Sequence, residues 1–377
     1  MNAILILGIL LIVFSFISRN KPFPYWGFVI VFIIMALQDG VEGDFMGYKE
    51  SYEIFARGQN GAGVTAENDY AWIFLNQLFS QIMPFWGFII IISGLECYVL
   101  YKSSKVFGSK KYGWVAPILF FFTFNMMLIQ MKALRQGLAT EIILLAFYLS
   151  TCEIKLSRSV LYGTLLVVIA FFVHKTSMII IPYYMLFFIL SQLGYFKKDD
   201  SIRTYKPSIT FPLLITGAYF FVYTLKSTSL GIWLTQLALI SDSNNIQFAN
   251  YLLDGQNYEM EVSWLIVLYN GIMVFLCSWF MQRTTRLNKF FAIASIIGCF
   301  GEMLLFGMAS LPRICMFFLV YDLFTYPHIV EMIEKRYGKV PAYLLIAFLV
   351  GYAVKTSLPW ITYAGDDRFG SYHFFFM

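Results

Sequence analysis

Residues 1–18 read MNAILILGILLIVFSFIS, a run that contains no charged side chain. A helix of about 20 apolar residues crosses a hydrocarbon core of about 30 Å, so this run is close to the length of one membrane span. A secretory signal peptide begins with a positively charged region, whereas the first basic residue here is Arg19. We therefore expect residues 1–18 to form a retained first helix.

Similar apolar runs recur along the whole chain. Of its 377 residues, 59% are hydrophobic and 13% are charged, whereas a soluble domain carries about 25% charged residues. This composition excludes a soluble globular enzyme, a disordered tail and a nucleic-acid-binding protein. Because a helix satisfies its own backbone hydrogen bonds in lipid, we predict an all-α polytopic membrane protein with about twelve transmembrane helices. The predicted spans are residues 1–18, 24–39, 84–102, 113–131, 137–151, 160–174, 176–196, 208–226, 262–281, 289–309, 312–330 and 340–358.

One apolar segment, residues 70–83, is too short to span a bilayer and predicts a re-entrant or interfacial helix. The chain shows no internal repeat and no soluble segment, so residues 1–377 are expected to form a single transmembrane domain. Residues 40–69 and 227–261 are the two longer loops between predicted spans.

Lysine and arginine are distributed unevenly between the two sets of alternate loops. Eighteen of the 27 basic residues lie in one set and nine in the other. Because basic loops stay in the cytoplasm, the first set is predicted to face inward and both termini to face outward. The loops 40–69 and 227–261 then both lie on the outer face. Residues 39–69 hold seven carboxylates against two basic residues, which fits that side.

The five cysteines do not indicate a disulfide framework or a zinc site. Their number is odd, the chain contains no CxxC pair, and each lies in or at the edge of an apolar run. Zinc sites in proteins use closely spaced ligand pairs, which are missing here. The five cysteines are Cys97, Cys152, Cys277, Cys299 and Cys315.

A cationic segment follows the fourth predicted span. Lys132, Arg135 and Gln136 stand at positions i, i+3 and i+4, so they share one face if the segment is helical. The guanidinium of Arg135 is a planar fork of donors that suits phosphate oxygens, and Lys132 adds a second positive charge. Snorkelling of these side chains to lipid phosphates is an equally good interpretation of this motif alone.

His174 and Lys175 follow the sixth predicted span, on the same outer side. An imidazole can accept or relay the proton of a sugar hydroxyl at neutral pH, and a structural or interfacial histidine is the alternative. Arg313 follows Pro312 at the outer start of a later helix and adds another cationic position. We expect Arg135, His174 and Arg313 to lie at the same depth on three separate helices.

The first long loop combines carboxylates with aromatic rings. Asp44, Tyr48 and Tyr52 are spaced four residues apart, which aligns them on one face of a helix. Aromatic rings stack on the apolar faces of sugars, and carboxylates accept hydrogen bonds from sugar hydroxyls. An amphipathic helix on the bilayer surface is the alternative. The same combination recurs nearby in Asn68, Asp69, Tyr70 and Trp72.

Four carboxylates fall inside predicted spans, where a charge is costly. They are therefore expected to face the protein interior or a cavity, and Glu302 is a candidate partner for Arg313. These residues are Glu96, Glu141, Glu302 and Asp322.

The chain resembles the EpsG family of bacterial membrane proteins, which is related to the Wzy-type polysaccharide polymerases. The resemblance covers most of the length in order and spacing, and the RQGLA and HKTS elements are its more specific parts. It rests on Asp44 and Tyr48, on RQGLA at residues 135–139, on FVHKTS at residues 172–177, and on Arg313.

Two positions depart from the family pattern. The family usually has a Tyr-Glu-Pro-Gly-like element before the short helix, where this chain has NDYA at residues 68–71. Asp69 then takes the place of the family's glutamate. A tyrosine that often follows the late arginine is missing, and Phe317 and Phe318 occupy its place.

The resemblance implies a GT-C-like glycosyltransferase on the outer face of the bacterial inner membrane. It implies that repeat units carried on undecaprenyl diphosphate are joined into an O-antigen, capsule or exopolysaccharide. The growing glycan would leave its carrier and pass to the non-reducing end of an incoming unit. The expected partners are the undecaprenyl-diphosphate-linked oligosaccharide, membrane lipid and a protein that regulates chain length. No nucleic acid and no cofactor is expected.

Within that chemistry, the predicted catalytic residues are His174, Asp44 and Arg135. Arg135 and Arg313, helped by Lys132 or Lys175, would stabilise the charge of the leaving diphosphate, as a metal does in other enzymes. No obligatory divalent metal is therefore predicted, and Mg²⁺ bound by the acidic loop 40–69 is the alternative. His174 or Asp44 would take the proton of the acceptor hydroxyl, and His174 is preferred. The predicted substrate-binding residues are Lys132, Gln136, Lys175, Arg313, Tyr48, Tyr52, Asp69, Tyr70 and Trp72.

Three other functions fit a chain of this kind. A flippase for lipid-linked oligosaccharide predicts two-fold internal similarity and cations in a central cavity, whereas the cationic residues here gather at one face. A membrane acyltransferase acting on surface glycans predicts a cytoplasmic site for an acyl donor, where His328 is the only histidine. An O-antigen-ligase-like transferase differs from a polymerase only in its acceptor.

Overall fold

The structure is a computed structural model of the 377-residue chain. It falls into two compact units, one formed by residues 1–197 with 326–377 and the other by residues 198–325. Loop 227–261, residues 40–43 and 60–68 of loop 40–69, and Cys152 lie outside the described residues. The structure describes residues 3–19, 26–39, 44–59, 69–123, 126–127, 129–151, 156–196, 208–226, 263–305, 311–362 and 373–374.

The described residues form sixteen α-helices and two short strands. Three further turns are 3₁₀-helical, namely Gly113–Val115, Lys175–Ile179 and Leu311–Cys315. The strands are β1 (Gln38–Asp39) and β2 (His373–Phe374). The helices are α1 (Ala3–Ser18), α2 (Gly27–Ala36), α3 (Asp44–Ala56), α4 (Tyr70–Ser80), α5 (Phe85–Phe107), α6 (Ala116–Phe122), α7 (Ile129–Lys132), α8 (Leu134–Thr151), α9 (Leu156–Val173), α10 (Ile181–Gln192), α11 (Thr210–Lys226), α12 (Trp264–Met281), α13 (Arg286–Leu305), α14 (Met316–Leu319), α15 (Asp322–Tyr337) and α16 (Lys339–Thr362).

The helical class predicted from the sequence is confirmed. Each of the twelve predicted spans overlaps one or more helices, and α4 lies in the predicted short segment. Four described helices, α5, α12, α13 and α16, are long and apolar enough to cross a membrane, and a bent pair, Arg313–Leu319 with Asp322–Tyr337, would make five. Six other apolar helices in the described ranges are shorter. The number of twelve spans and the outward termini therefore stay predictions.

Proline and glycine explain why some apolar segments are divided into shorter helices. Pro117 and Pro182 lie in the first turns of α6 and α10, where the missing N–H of proline costs nothing. Each of these helices follows a 3₁₀ turn. Gly338 adopts φ +92° at the end of α15, a conformation that side chains rarely allow. These breaks separate helices that a hydropathy pattern alone would join.

The core of the first unit is built around α5 and α8. Helix α5 packs against both α2 and α8, and α8 packs along α9. Gly163 on α9 leaves room for the hydroxyl of Tyr184 on α10, which lies 3.1 Å from Ser150 Oγ on α8. A small residue thus lets three helices meet around one buried hydrogen bond, as is common in membrane bundles.

Contacts within the first unit agree with the predicted alternation of loops. Strands β1 and β2 pair antiparallel, which joins the outer end of the predicted span 24–39 to the C-terminal segment, which is also assigned to the outer side. The hydroxyl of Ser109, in a loop of the inner set, donates a 2.7 Å hydrogen bond to Glu331 on α15, next to another inner loop. The side of the membrane that each set faces stays a prediction.

The second unit is a separate helical cluster in which α11, α12 and α13 pack together. Its buried polar contacts include a 2.9 Å hydrogen bond from Asn270 Nδ2 to Glu302 Oε2. The expected pairing of Glu302 with Arg313 stays a prediction. Four of the five cysteines are described, and they are buried and free of disulfides: Cys97, Cys277, Cys299 and Cys315.

Candidate active site

The carboxylate of Asp69 is the centre of a polar site in the first unit. Its Oδ2 accepts a 2.6 Å hydrogen bond from Arg135 Nη1 and lies 3.3 Å from His174 Nδ1. Its Oδ1 accepts a 3.3 Å hydrogen bond from the backbone N–H of Lys175. Asp69 therefore joins α8 and the end of α9 to the start of α4, and its side chain is only 8% exposed.

Arg135 is held from a second direction by Tyr48 on α3. Its Nε donates to Tyr48 Oη at 3.2 Å, and its guanidinium carbon lies 5.3 Å from the centroid of the Tyr48 ring. A guanidinium has five N–H donors, and these bonds use two of them. The other three have no partner among the described residues, and the side chain is 17% exposed. Arg135 is therefore fixed in place while it keeps donors for a ligand.

The backbone around Arg135 is broken within the segment that joins the fourth and fifth predicted spans. Helix α7 ends at Lys132 and α8 begins at Leu134. The backbone N–H groups of Gln136 and Gly137 both bond to Ala133 O, which starts the new helix. The shared face expected for Lys132, Arg135 and Gln136 was based on unbroken helical spacing, and that premise is wrong. The break places Arg135 in the first turn of α8.

The backbone around His174 is also unwound, and this exposes a donor. His174 has extended backbone dihedrals, φ −156° and ψ 114°, between the end of α9 and the 3₁₀ turn Lys175–Ile179. The N–H of Lys175 is therefore not used inside a helix and can bond to Asp69. The imidazole is 20% exposed. His174 can thus contact the carboxylate and a ligand at once.

The aromatic residues of α3 and α4 form a packed layer behind the site. The Tyr48 and Trp72 rings meet at 5.3 Å, and Trp72 lies 5.7 Å from Phe88 on α5. Tyr52 stacks on Phe88 and donates a 2.8 Å hydrogen bond to the carbonyl of Met83. Burial raises the pKa of Tyr52 to about 12, so it stays a neutral donor. The layer packs against the ring of Tyr48 through Trp72.

These aromatic residues differ in how well a sugar could reach them. Tyr48, Tyr52 and Trp72 are buried. The structure shows their packing in this layer, whereas their contact with sugar rings stays a prediction. Tyr70 is 61% exposed, with its ring centroid 6.3 Å from that of Phe172. It is the accessible aromatic ring among the four that the sequence suggested.

The remaining predicted residues lie at different distances from this centre. Asp44 is exposed at the first turn of α3, and its charge acts on Arg135. Gln136 is buried, Lys132 is half-buried, and the side chain of Lys175 is exposed. Arg313 belongs to the second unit and is half-buried. Its expected place beside Arg135 and His174 stays a prediction.

A second polar cluster, formed by residues of α5, α7 and α8, was only partly anticipated from the sequence. Glu96 on α5 and Glu141 on α8 are 1% and 0% exposed, which confirms that these acids face the interior. Gln130 Nε2 donates a 3.1 Å hydrogen bond to Glu141 Oε1, and neither oxygen of Glu96 has a hydrogen-bond partner among the described residues. A Cβ on Gly137 would lie 3.1 Å from Glu96 Oε1, so this glycine makes room for the acid. Gln130 was missed, although a lone amide in the apolar run MMLIQM is a usable signal.

The described residues contain no group of three or more His, Cys, Asp or Glu side chains that could hold a metal ion. The donor set of the site is one carboxylate between two basic side chains, and Asp69 already has cationic and backbone partners. The chemistry of this set suits an anionic ligand that engages the guanidinium, rather than a hard cation.

These features define a class: a helical membrane protein with a buried Asp–Arg–His constellation at helix ends. A comparison with models of protein families matches the EpsG family over residues 23–364. The match covers most of the chain, so the chain belongs to the EpsG family, a Wzy-like polysaccharide polymerase family. The resemblance seen in the sequence is thereby confirmed. Searches among curated proteins and solved structures return no match.

Proposed function

We propose that this protein is a glycosyltransferase that joins undecaprenyl-diphosphate-linked repeat units on the outer face of the bacterial inner membrane. Membership of a polysaccharide polymerase family supports the reaction class. The observation that carries the proposal is the link from Asp69 to both Arg135 and His174. Transfer from a lipid diphosphate needs a base for the acceptor hydroxyl and a cationic group that binds phosphate. Asp69 contacts a candidate for each of these roles.

His174 is the proposed general base. An ionised carboxylate only accepts hydrogen bonds, so the hydrogen between His174 and Asp69 lies on Nδ1. The other ring nitrogen, Nε2, is then an acceptor and can take the proton of an acceptor hydroxyl. Asp69 fixes the orientation of the ring and stabilises the imidazolium that forms. Asp44, which is exposed in the first turn of α3, is the alternative base.

Arg135 is the proposed binding residue for the leaving diphosphate. As the acceptor oxygen bonds to the anomeric carbon, the bond from that carbon to the phosphate oxygen breaks and its electron pair stays on the diphosphate. Three N–H groups of Arg135 are left to stabilise that charge. Lys132 and Lys175 are proposed to bind the rest of the diphosphate, and Tyr70 to bind a sugar ring.

This assignment predicts a reaction without an obligatory divalent metal, because the fixed guanidinium supplies the positive charge. A protein that regulates chain length stays a proposed partner. The product would be an O-antigen, a capsule or an exopolysaccharide.

The test is deletion of the gene followed by electrophoresis of the cell's surface polysaccharide. Loss of the long ladder with retention of single-unit glycan is the expected result. Complete loss of surface glycan would instead indicate a flippase or a ligase, and normal length with altered chemistry would indicate an acyltransferase. Complementation with Asp69→Asn, at wild-type protein level, should fail to restore the ladder. A restored ladder would remove the Asp69 centre from the mechanism.

A further inference from the structure

An apolar groove lies between α2 and α5 in the first unit, away from the candidate active site. Its volume is about 470 Å³, within the range of roughly 300–1,000 Å³ that is usual for ligand sites. The α5 wall includes Gly94, Tyr98 and Tyr101, and the opposite wall includes Trp26, Val29 and Phe32.

Gly94 explains why the two helices leave a gap. A Cβ added at this glycine would meet only Phe32 Cε2, at 3.5 Å. Phe32 near the end of α2 lies opposite Gly94, and Trp26 just before α2 lines the same groove as Tyr101, which follows Gly94 on α5. The two helices therefore run antiparallel here. The seven helical steps from Gly94 to Tyr101 correspond to about 10 Å of helix, which is the length of the groove along α5.

The groove opens sideways from the helix pair. Trp26 and Tyr98 are 45% and 55% exposed, so their rings border an open slot and not a closed cavity. Helix α5 is one of the four helices suited to crossing a membrane, and this face of α5 is apolar. The molecules that reach such a slot from the side are lipid chains. An apolar slot of this length fits part of one hydrocarbon chain.

One end of the groove carries positive charge. Lys102 Nζ lies 5.3 Å from the centroid of the Tyr98 ring that lines the groove. Lys105 follows on the next turn and is exposed. Trp26, Tyr98 and Tyr101 gather at the same end, and such rings favour the level of lipid headgroups. Lysines at that level attract anionic headgroups.

We propose that this groove binds one acyl chain of an anionic phospholipid, with the phosphate of that lipid held by Lys102. The lipid is neither the sugar donor nor the acceptor, so this site goes beyond the proposed polymerase reaction. The apolar walls select a hydrocarbon chain, and the lysine selects the charge of the headgroup.

The experiment uses the purified full chain in nanodiscs that contain phosphatidylglycerol or phosphatidylcholine with brominated acyl chains. Bromine quenches a tryptophan that it touches, and the difference between wild type and Trp26→Phe isolates the signal of Trp26. One lysine near an anionic lipid gives about 1 kcal/mol, or about a fivefold preference. Half-maximal quenching is therefore expected at an about fivefold lower fraction of phosphatidylglycerol than of phosphatidylcholine.

Two variants and two matched controls sharpen the test. Lys102→Gln should remove the preference for phosphatidylglycerol, and Lys355→Gln, an exposed lysine on α16, should keep it. Gly94→Leu should fill the groove and abolish the quenching of Trp26. Gly351→Leu adds the same side chain where a Cβ meets nothing within 4 Å, and it should leave the quenching intact.

Three outcomes would overturn the proposal. Equal quenching by the two lipids would show that no headgroup is selected. Absence of Trp26 quenching would show that no chain enters the groove. Displacement of the brominated lipid by undecaprenyl phosphate, but not by unlabelled phosphatidylglycerol, would assign the groove to the polyprenyl carrier. Because Lys102→Gln removes only an exterior charge, it keeps the test decisive if Gly94→Leu fails to fold.

Discussion

Helix α8 carries two ionisable residues six positions apart, Arg135 and Glu141, and their surroundings differ sharply. Arg135 has a carboxylate at 2.6 Å, a tyrosine hydroxyl at 3.2 Å and part of its surface open. Glu141 is fully buried and has one amide donor, Gln130. Its acidic neighbour Glu96 has no hydrogen-bond partner and no ion pair among the described residues.

The difference shows that one helix can carry a charged residue in its first turn and a neutral acid in its buried middle. A buried charge is tolerated when an opposite charge and hydrogen bonds surround it, which is the case for Arg135 and Asp69. A buried acid without a cation is far less costly in its neutral form, so we expect Glu96 and Glu141 to stay neutral. The first region is suited to chemistry on charged groups, and the second to packing.

The largest expected effect comes from removing the proposed base of the charged region. His174→Ala leaves Asp69 and Arg135 paired but provides no acceptor for the hydroxyl proton. General-base catalysis contributes about 10²–10⁴-fold, so the rate of polymerisation should fall by that factor. The measurement is incorporation of labelled repeat units by purified protein. His328→Asn, at a histidine that contacts the carbonyl of Phe107, is the matched control and should keep the rate.

The second-largest effect on turnover is expected when the positive charge of Arg135 is kept but its planar guanidinium is removed. Arg135→Lys cannot contact Asp69, Tyr48 and a diphosphate together, because an ammonium is a single point charge. The turnover rate should fall by about 10²–10³-fold, as when one donor to a developing anion is lost. Turnover within tenfold of wild type at normal protein level would show that positive charge alone suffices there.

A smaller effect is expected on stability in the buried region. Gly137→Ala brings a Cβ to 3.0 Å from the Gln130 side chain and 3.1 Å from Glu96 Oε1. Such overpacking costs about 1–3 kcal/mol of unfolding free energy, seen as a lower Tm in detergent. Gly351→Ala is the matched control, since its Cβ meets nothing within 4 Å. It should instead stabilise its helix by about 0.5–1 kcal/mol.

The smallest effect on stability is expected from Glu96→Gln. Compared with the same change at Asp69, it distinguishes the buried acid region from the charged region around Arg135. Glu96→Gln replaces a buried acid by a neutral side chain of almost the same shape. If Glu96 is neutral, the free energy of unfolding should change by less than about 1 kcal/mol, and polymerisation should continue. The same acid-to-amide change at Asp69 should abolish polymerisation, because Arg135 and His174 then lose their counter-charge. A severe loss of Tm in Glu96→Gln would mean that this acid is ionised.

The helices could be predicted from the sequence because apolar runs are local, whereas the roles assigned to the site residues stay predictions. Arg135 and His174 were found by their type and their place at the ends of apolar runs. The central position of Asp69 could not be found in this way. It contacts partners 66 and 105 residues away, and no local pattern encodes such pairings. The helix break at Ala133 falls between the predicted spans 113–131 and 137–151, although the sequence does not mark the residue at which it occurs.

Those long separations also fix when the site can come into existence during synthesis. Asp69 meets a side chain on α8 and a backbone N–H at Lys175, so a ribosome must have released residue 175 before the third partner arrives. Until then the nascent chain carries Asp69 and Arg135 without the imidazole of His174 and the backbone N–H of Lys175. The insertion of α9 therefore completes the constellation, and a chain arrested before it would be inserted in the membrane but chemically incomplete.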